Sequence, residues 1–464
     1  MFSKFSFLKT VFILLLAVSF ITCAQENKNI TKEEREAFVE NVSKQLNDNY
    51  VFAEVAAQIE KHLKAKLAAG AFDNITDATE FADLMTNEVQ SISNDRHMRV
   101  RVRPTQLSAP AERPNPIIQN YETKKMLENI NYGFRKVEKL EGNIGYLDLT
   151  GFPPLALAKD YADRAMNLLS GSDALIIDLR HNGGGNPDLI QYVSSYLFEK
   201  STHINSLYYR RTNQTIDYIT FEKVDGKKMA DVPLFLLTSN YTFSGGEEFA
   251  YNIQTQKRGT LIGETTGGGA NPGGMVPITG TFAVFIPTGR AINPITKTNW
   301  EGVGVVPEIK CTADEALDTA LLLARDAAKT RNEAKDKLVK QHAAELESNI
   351  AKAERLFDEK KTMEAEKFLI TALENALTKE LIDEVMINQF GYEKIGAGKI
   401  EMAISLLKYN VKAFPESANV YDSLGEAYMT AGDNTNAILN YKKSLELNLQ
   451  NTNAVEVLKR LGVE

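Results

Sequence analysis

Short β-rich runs that alternate with helical stretches limit what this chain can fold into more than any other feature. Alternation of this kind is typical of an α/β domain with a largely buried sheet. We therefore predict an α/β core over residues 117–328, closed by a helix at about residues 313–328. The predicted strands are 132–137, 144–149, 174–178, 234–238, 260–263 and 281–286, and the predicted helices among them are 155–170, 187–199 and 245–256.

Residues 28–103 are predicted to form an N-terminal helical domain. Thr31-x-x-Glu34 has the pattern of a capping box, and the apolar residues after it recur on one face of a helix. Two further helices are expected before a proline-rich loop at residues 104–116. This loop separates the helices from the α/β core.

The C-terminal part of the chain repeats itself with a period of 34 residues, as the pair Gly391 and Gly425 illustrates. This is the period of tetratricopeptide repeats, which stack as pairs of helices. We predict an all-α tetratricopeptide solenoid over residues 347–464, joined to the core by a charged helical connector at residues 329–346. The repeats are a candidate surface for a protein partner, whose nature the sequence does not indicate.

The first 24 residues have the pattern of a signal peptide. Lys4 and Lys9 precede an apolar run that is short for a membrane span, although an uncleaved anchor is the alternative. Cys23 resembles the lipidated cysteine of bacterial lipoproteins, whereas cleavage after Ala24 would release a soluble product. Both alternatives predict an exported protein that is secreted, periplasmic or lipid-anchored in the bacterial envelope.

The formal net charge of −8 and the pI near 5.5 argue against a nucleic-acid-binding surface. A peptide, a protein or a small molecule is a better candidate partner. Cys311 is the only cysteine besides Cys23, and no Cys/His cluster has the spacing of metal ligands. We therefore expect no bound metal and no cofactor.

Ser244 is the strongest candidate for a nucleophile, because the apolar run 234–238 leads into a turn that places this serine at the start of a helix. Backbone N–H groups at a helix N-terminus can stabilise an oxyanion, and Gly245 and Gly246 allow a substrate to approach closely. The alternative is that Ser244 only caps the helix.

A serine nucleophile needs a base, and five histidines are available, of which His97 lies where a polar loop turns into a strand. A second candidate feature is Gly183-Gly184-Gly185, which follows the predicted strand 174–178. Ligands of α/β sheets bind at the carboxyl ends of strands. These glycines can present N–H groups to an oxyanion or simply form a tight turn. The lysine and Ser/Thr of a phosphate-binding P-loop are absent.

Four motifs together resemble those of the tail-specific (C-terminal processing) serine peptidase superfamily. They are Asp-Leu-Arg-x-Asn-x-Gly-Gly from Asp178, Thr-Ser-x-x-Thr-Phe-Ser-Gly-Gly-Glu ending at Glu247, Gly-Glu-Thr-Thr-Gly-Gly from Gly263, and Glu-Gly-Val-Gly-Val-x-Pro from Glu301. The resemblance covers about residues 30–325 and implies a Clp-protease/crotonase-like core. It also makes Glu247, of the Ser-x-x-Glu pattern, a structural hydrogen-bonding partner.

Two catalytic solutions occur in this superfamily, and the sequence discriminates between them. The processing peptidases use a lysine in a Gly-Lys-Gly loop, but here the loop reads Gly267-Gly268-Gly269. The branch that includes the tricorn core and the interphotoreceptor retinoid-binding protein has an Asp-x-His segment, which Asp95-Arg96-His97 matches. By resemblance to tricorn, His97 is the base for Ser244 and Glu301 is the supporting carboxylate.

We therefore interpret the chain as an exported serine peptidase that acts on peptides or proteins. Its predicted catalytic residues are Ser244, His97 and Glu301, and its predicted oxyanion and substrate-binding residues are Gly183, Gly184, Gly245 and Gly268. A histidine base predicts a rate that rises at roughly pH 6–7.5. One alternative is a catalytically silent module that binds hydrophobic ligands or peptides, and another is a cell-surface scaffold in which the repeats dominate.

Overall fold

The structure is a computed structural model that describes residues 28–103 and 115–463. The predicted signal peptide, Cys23 and most of the proline-rich loop lie outside the described residues. The described chain divides into two compact units at the boundary between Ala328 and Lys329. None of the described helices is both long enough and apolar enough to span a bilayer.

Three helices open the first unit, as predicted: α1 (Lys32–Asn49), α2 (Ala53–Ala68) and α3 (Ala78–Ser93). Thr31 and Glu34 form the predicted capping box at the start of α1. The rings of Phe38 and Phe81 pack edge to face with centroids 5.4 Å apart, in a core from which water is excluded.

The N-terminal helices share this core with a sheet formed by residues from two distant parts of the sequence. Strand β1 (Val100–Val102) pairs antiparallel with β10 (Phe282–Pro287), which pairs with β9 (Gly273–Pro277). Phe282 of β10 lies 5.3 Å from Phe38, centroid to centroid. The helical region therefore packs on a part of the chain that the sequence analysis assigns to the α/β core.

A six-stranded sheet forms the centre of the first unit. Its strands are β2 (Phe134–Leu140), β3 (Ile144–Leu149), β4 (Ala174–Asp178), β7 (Leu234–Thr238), β8 (Thr260–Gly263) and β12 (Ile309–Lys310). They lie in the order β12-β8-β7-β4-β3-β2, and all neighbours are parallel except β2 and β3. The fold class is thus confirmed for this unit, and most of the predicted strand positions agree with the structure.

Helices cover both faces of this sheet, and side chains alternate between the two faces along each strand. Leu175 and Ile177 of β4 pack on one side, whereas Ala174 and Ile176 pack on the other. The first side holds α5 (Leu155–Leu169), α6 (Pro187–Ser195) and α7 (Gly245–Thr255), and the second holds the beginning of α8 (Ala316–Asp358). Helix α4 (Pro116–Asn129), which the sequence analysis did not predict, precedes the sheet.

A third sheet was also not predicted from the sequence. Its strands are β5 (His203–Tyr209), β6 (Gln214–Ile219) and β11 (Gly289–Ile292), in the order β11-β5-β6. Strand β6 is exposed at most positions, so it lacks the apolar alternation from which a strand is normally recognised.

The direction of the parallel strands determines where the functional loops meet. Strands β4, β7 and β8 are adjacent and parallel, so their carboxyl ends lie at one edge of the sheet. The loop after β4 contains Gly183 to Gly185, the loop after β7 contains Ser244, and the loop after β8 contains Gly267 to Gly269. Three loops that are distant in sequence are thereby brought together.

The second unit is entirely helical, as predicted. It contains the rest of α8 and helices α9 (Thr362–Thr378), α10 (Glu384–Gly396), α11 (Ile400–Ala413), α12 (Ala418–Thr430), α13 (Asn434–Leu447) and α14 (Thr452–Arg460). A Cβ on Gly391 would lie 2.7 Å from Leu407, and one on Gly425 would lie 3.0 Å from Tyr441. These pairs are 34 residues apart, so both repeats need glycine for close packing of their two helices.

Candidate active site

Ser244 lies between β7 and α7 with φ 52° and ψ −118°. An N-cap residue normally has dihedral angles in the β region, and a serine with positive φ is conformationally strained. Such strain is concentrated at functional sites, and a strained turn between a strand and a helix is one way to display a nucleophilic serine. The backbone therefore favours a nucleophile over a simple helix cap.

Glu247 holds the turn of Ser244 in place. Its side chain is fully buried, and one oxygen, Oε2, accepts the backbone N–H groups of Ser244 at 2.9 Å and Gly269 at 2.8 Å. The other oxygen, Oε1, accepts the N–H of Gly268 at 2.6 Å and the hydroxyl of Thr266. Burial raises the pKa of Glu247, and these hydrogen bonds oppose the increase. The contacts agree with the structural role predicted for this residue.

The glycine turn after β4 packs directly against the nucleophile. Gly184 has φ +99°, and a Cβ there would lie 2.8 Å from Ser244 Cβ and 2.7 Å from the nitrogen of Gly245. The Gly184 N–H donates to Asn182 Oδ1 at 2.8 Å, so it must change partner before it can bind an oxyanion. The Gly183 N–H makes only a long contact of 3.4 Å with the carbonyl of Thr150.

Gly245 is the first residue of α7, and within the described chain its N–H makes no hydrogen bond to a backbone carbonyl outside that helix. The Gly245 N–H is therefore the most available oxyanion donor among the predicted residues. The Gly268 N–H is occupied, because it donates to Glu247. Gly268, which has φ +83°, thus serves here to shape the loop.

His97 lies between two phenylalanine rings, with ring centroids 4.7 Å from Phe243 and 5.3 Å from Phe285. Its Nδ1 atom is buried and has no hydrogen-bond partner in the part of the chain that the structure describes. Burial, followed by the positive charge of Arg99, lowers the pKa of His97 to about 4. The imidazole is therefore neutral at pH 6–7.5, the range in which an ordinary histidine would titrate, and the pH dependence expected from the sequence must move downward.

The glycine loop after β8 makes room for this imidazole. A Cβ on Gly269 would lie 2.8 Å from Cε1 of His97 and 2.3 Å from Cζ of Phe243. Because Phe243 immediately precedes Ser244, these contacts bring the histidine next to the nucleophile turn. No hydrogen bond connects His97 with Ser244 among the described residues. Catalytic hydrogen bonds are often long before a substrate binds.

Two carboxylates, those of Asp95 and Glu301, lie beside His97. The three side chains each have one polar atom within 4.8 Å of such an atom in the other two. Asp95 Oδ1 accepts the backbone N–H of His97 at 3.1 Å, while its Oδ2 accepts from Tyr50 and Asn271. Burial raises the pKa of Asp95. Asp95 thus fixes the backbone at His97.

Glu301 binds the two loops that flank His97. Its Oε1 accepts the N–H of Arg96 at 3.0 Å, and its Oε2 accepts those of Ala270 at 2.6 Å and Asn271 at 3.1 Å. Burial, together with the negative charge of Asp95, raises the pKa of Glu301 to about 7. No hydrogen bond joins Glu301 to the imidazole in the described structure, so its predicted support of His97 acts through the backbone in this conformation.

The structure thus brings the predicted residues into two adjacent groups. Ser244, Gly184 and Gly245 form one group, and His97 and Glu301 form the other. Sequence reasoning did not identify several residues that organise these groups: Asn182, Phe243, Thr266, Asn271 and Phe285. Asn182, Phe243 and Thr266 stand inside the motifs from which the resemblance was drawn, so a signal for them was present.

A cleft of about 610 Å³ opens in front of His97. Its walls include Gly183, Phe243, Gly267 and Phe285, so it reaches all three loops at the carboxyl edge of the sheet. This volume falls in the range of small-molecule and peptide-side-chain sites. The candidate base therefore lines a concave site that a substrate can enter, and the candidate nucleophile directly follows Phe243 of its wall.

The sequence matches two family models that follow one another along the chain. Residues 143–311 match peptidase family S41, and residues 27–138 match the N-terminal domain of peptidase S41 in eukaryotic IRBP. Together these matches include every residue of the candidate active site. Residues 27–138 and 143–311 therefore carry peptidase S41 domains, the family to which the motifs had pointed.

Similarity to individual proteins is more distant. The chain is 28% identical over 132 residues to tricorn protease of Thermoplasma volcanium, a match that covers 28% of this chain and 12% of the relative. It is 25% identical over 175 residues to the carboxy-terminal-processing protease of Bartonella bacilliformis, covering 37% of this chain and 39% of the relative. The chain thus spans well under half the length of these curated relatives.

Among solved structures, the photosystem II D1 C-terminal processing protease matches with a TM-score of 0.41 and 15% sequence identity. This match covers 64% of the present chain and 99% of the other.

Proposed function

We propose that this chain is an exported serine peptidase that cleaves peptide bonds through an acyl-enzyme on Ser244. The observation that carries the proposal is the strained backbone of Ser244 at the N-terminus of α7, next to the neutral imidazole of His97. Family membership supports the reaction class, and the predicted signal peptide supports export.

In the proposed mechanism, Ser244 Oγ attacks the carbonyl carbon of the scissile bond while the neutral imidazole of His97 takes the hydroxyl proton. The tetrahedral oxyanion is stabilised by the Gly245 N–H, and by the Gly184 N–H once it has left Asn182. Collapse breaks the C–N bond, and His97 gives its proton to the leaving amine. Water then hydrolyses the ester, again with His97 as base.

A fluorophosphonate probe tests the proposal, because it reacts with an activated serine and not with a helix cap. We expect stoichiometric labelling of the parent protein and none of Ser244→Ala. Peptide turnover by Ser244→Ala should fall by at least about a thousandfold. Ser201→Ala, which changes an exposed serine that does not line the cleft, is the matched control and should keep its label.

The alternative function is a binding module without catalysis. The observation in its favour is that His97 has no hydrogen bond to either Ser244 or Glu301 and is held mainly between the rings of Phe243 and Phe285. A folded parent protein that takes no label and cleaves no peptide would replace the peptidase proposal with this one.

A further inference from the structure

Three arginines line the cleft in front of His97: Arg96, Arg99 and Arg101. All three side chains are exposed, and none forms a salt bridge with another described residue. No aspartate or glutamate is among the residues that line this cleft. The cleft is therefore cationic although the whole chain carries a formal charge of −8.

The geometry of β1 explains why two of these arginines face the cleft. Val100 is buried and pairs with Val284 of β10, so the residues on either side of it point the opposite way. Arg99 and Arg101 consequently project from the same face, and their Cα atoms are about 7 Å apart. The carbonyl of Arg99 accepts the N–H of Phe285 at 3.0 Å, which fixes the strand against the cleft wall.

Arg96 extends this row on the other side of His97. Its backbone N–H is held by Glu301 and its carbonyl accepts Nε of Arg99 at 3.3 Å, so its main chain is anchored while its side chain is exposed. The row of arginines therefore begins beside the candidate base and runs outward along β1.

Unpaired guanidinium groups on a concave surface attract carboxylates, to which they donate charge-assisted and often bidentate hydrogen bonds. Alternate side chains of an extended peptide are also about 7 Å apart, which matches the separation of Arg99 and Arg101. We propose that this cleft selects peptide substrates with aspartate or glutamate side chains close to the scissile bond. This inference rests on the proposed peptidase function.

The test uses fluorogenic peptides of one length in which a single position carries either glutamate or glutamine. Every peptide is acetylated and amidated, so that no terminal carboxylate is present. For the parent protein we expect kcat/KM to be roughly tenfold higher with glutamate at one or more positions near the scissile bond. In the double variant Arg99→Gln/Arg101→Gln, the ratio of the two kcat/KM values should fall to about one.

Arg211→Gln is the matched control, because Arg211 is exposed in the turn between β5 and β6 and does not line the cleft. It removes one positive charge and should keep both the activity and the glutamate preference. Equal turnover of glutamate and glutamine peptides by the parent overturns the inference. So does a double variant that is slower on both peptides in the same proportion, which would indicate a structural role.

Two further measurements distinguish recognition of acidic side chains from recognition of a chain terminus and from failure of the peptidase proposal. If a preference appears only when the peptide ends in a free carboxylate, the cleft recognises a chain terminus and the side-chain proposal is wrong. If the parent cleaves no peptide, the peptidase proposal fails. Binding of labelled glutamate and glutamine peptides to Ser244→Ala then tests separately whether the cleft prefers acidic side chains. Equal affinities for the two peptides would reject that preference as well.

Discussion

The nucleophile side and the base side of this site differ in how completely their polar groups are satisfied. On the nucleophile side, Glu247 accepts four hydrogen bonds, among them that of the Ser244 N–H. On the base side, the carboxylates hold backbone groups, while Nδ1 of His97 is buried without a partner among the described residues. We infer that the proposed nucleophile is preorganised, and we expect the hydrogen bonds of the proposed base to be completed when a substrate binds.

The largest effect expected from this comparison is that of Glu247→Gln. A glutamine amide cannot accept all four hydrogen bonds. Its NH₂ group would face N–H or O–H donors in a buried site, so we expect Ser244 to be displaced. We expect turnover and fluorophosphonate labelling to fall by about a hundredfold, since small misplacements of a nucleophile cost that much.

Glu301→Gln, which disturbs backbone donors near the base, should lower turnover about tenfold and leave substrate binding nearly intact.

Kinetic constants and labelling rates of Glu247→Gln and Glu301→Gln measure how much each carboxylate contributes to placing Ser244. Glu222→Gln, at an exposed position, is the control and should behave as the parent does. If Glu301→Gln slows labelling as much as Glu247→Gln does, the two sides are equally important for placing the serine. The inferred difference in preorganisation between the nucleophile side and the base side would then be wrong.

The next effect concerns the pH dependence of the rate. His97 has a pKa lowered to about 4, so it stays neutral and competent as a base above that pH. We expect kcat/KM to decrease about tenfold per pH unit below pH 4 and to show no histidine limb at pH 6–7.5. The groups around the imidazole are Arg96, Arg99, Asp95 and Glu301, and ionisation of the last two would raise the pKa of His97.

Glu301→Gln separates these contributions, because the pKa of Glu301 is itself raised to about 7. A limb near neutral pH that disappears in this variant reports the ionisation of Glu301, acting either directly or by raising the pKa of His97. A limb at pH 6–7.5 that persists in the variant would show that His97 is solvated in the working enzyme, contrary to its position between Phe243 and Phe285.

The parts of this site that are local in sequence could be predicted, and those that depend on distant neighbours could not. Ser244 was predicted as the nucleophile because an apolar strand, a turn and a helix start follow one another within about ten residues, and the structure has this strand, turn and helix. The environment of His97 depends on Phe243 and Phe285, which lie far along the chain, so no sequence pattern predicts the lowered pKa. Glu301 was assigned to the imidazole by resemblance to tricorn, and its hydrogen bonds to the backbone of Arg96, Ala270 and Asn271 could not be predicted for the same reason.

Fold prediction had the same limit. The parallel strands β4, β7 and β8 were recognised because each is a short apolar run. Strand β6 is largely polar and exposed, and it pairs with β5, so its place in a sheet is determined by a neighbour rather than by its own composition. The packing of the N-terminal helices on β10 is likewise a contact between distant segments, since Phe38 and Phe282 are 244 residues apart.

The smallest effect expected is on stability and concerns Glu248, the neighbour of Glu247. Burial raises the pKa of Glu248 to about 7, and a hydrogen-bonding interaction with the side chain of Asn205 opposes the increase. Oε1 of Glu248 and the side chains of Asn205 and Asn252 make no close, well-aligned hydrogen bond with the described residues. Glu247 and Glu248 therefore have opposite environments although they are adjacent in α7.

Because the folded-state pKa is raised, the folded protein binds more protons than the unfolded chain between pH 4.5 and about 7. The stability that Glu248 contributes is present at low pH and is lost as pH rises through about 7. Glu248→Gln has no charge to bury, so relative to the parent it should gain on the order of 3 kcal/mol between pH 5 and pH 8. Denaturant unfolding of both proteins at both pH values measures this difference in the free energy of unfolding. The variant and the parent share the other buried carboxylates and His97, so the effects of those groups cancel. An equal free-energy difference at the two pH values would show that Glu248 is ionised in the folded protein and that its orphaned oxygen has found a partner, such as a buried water.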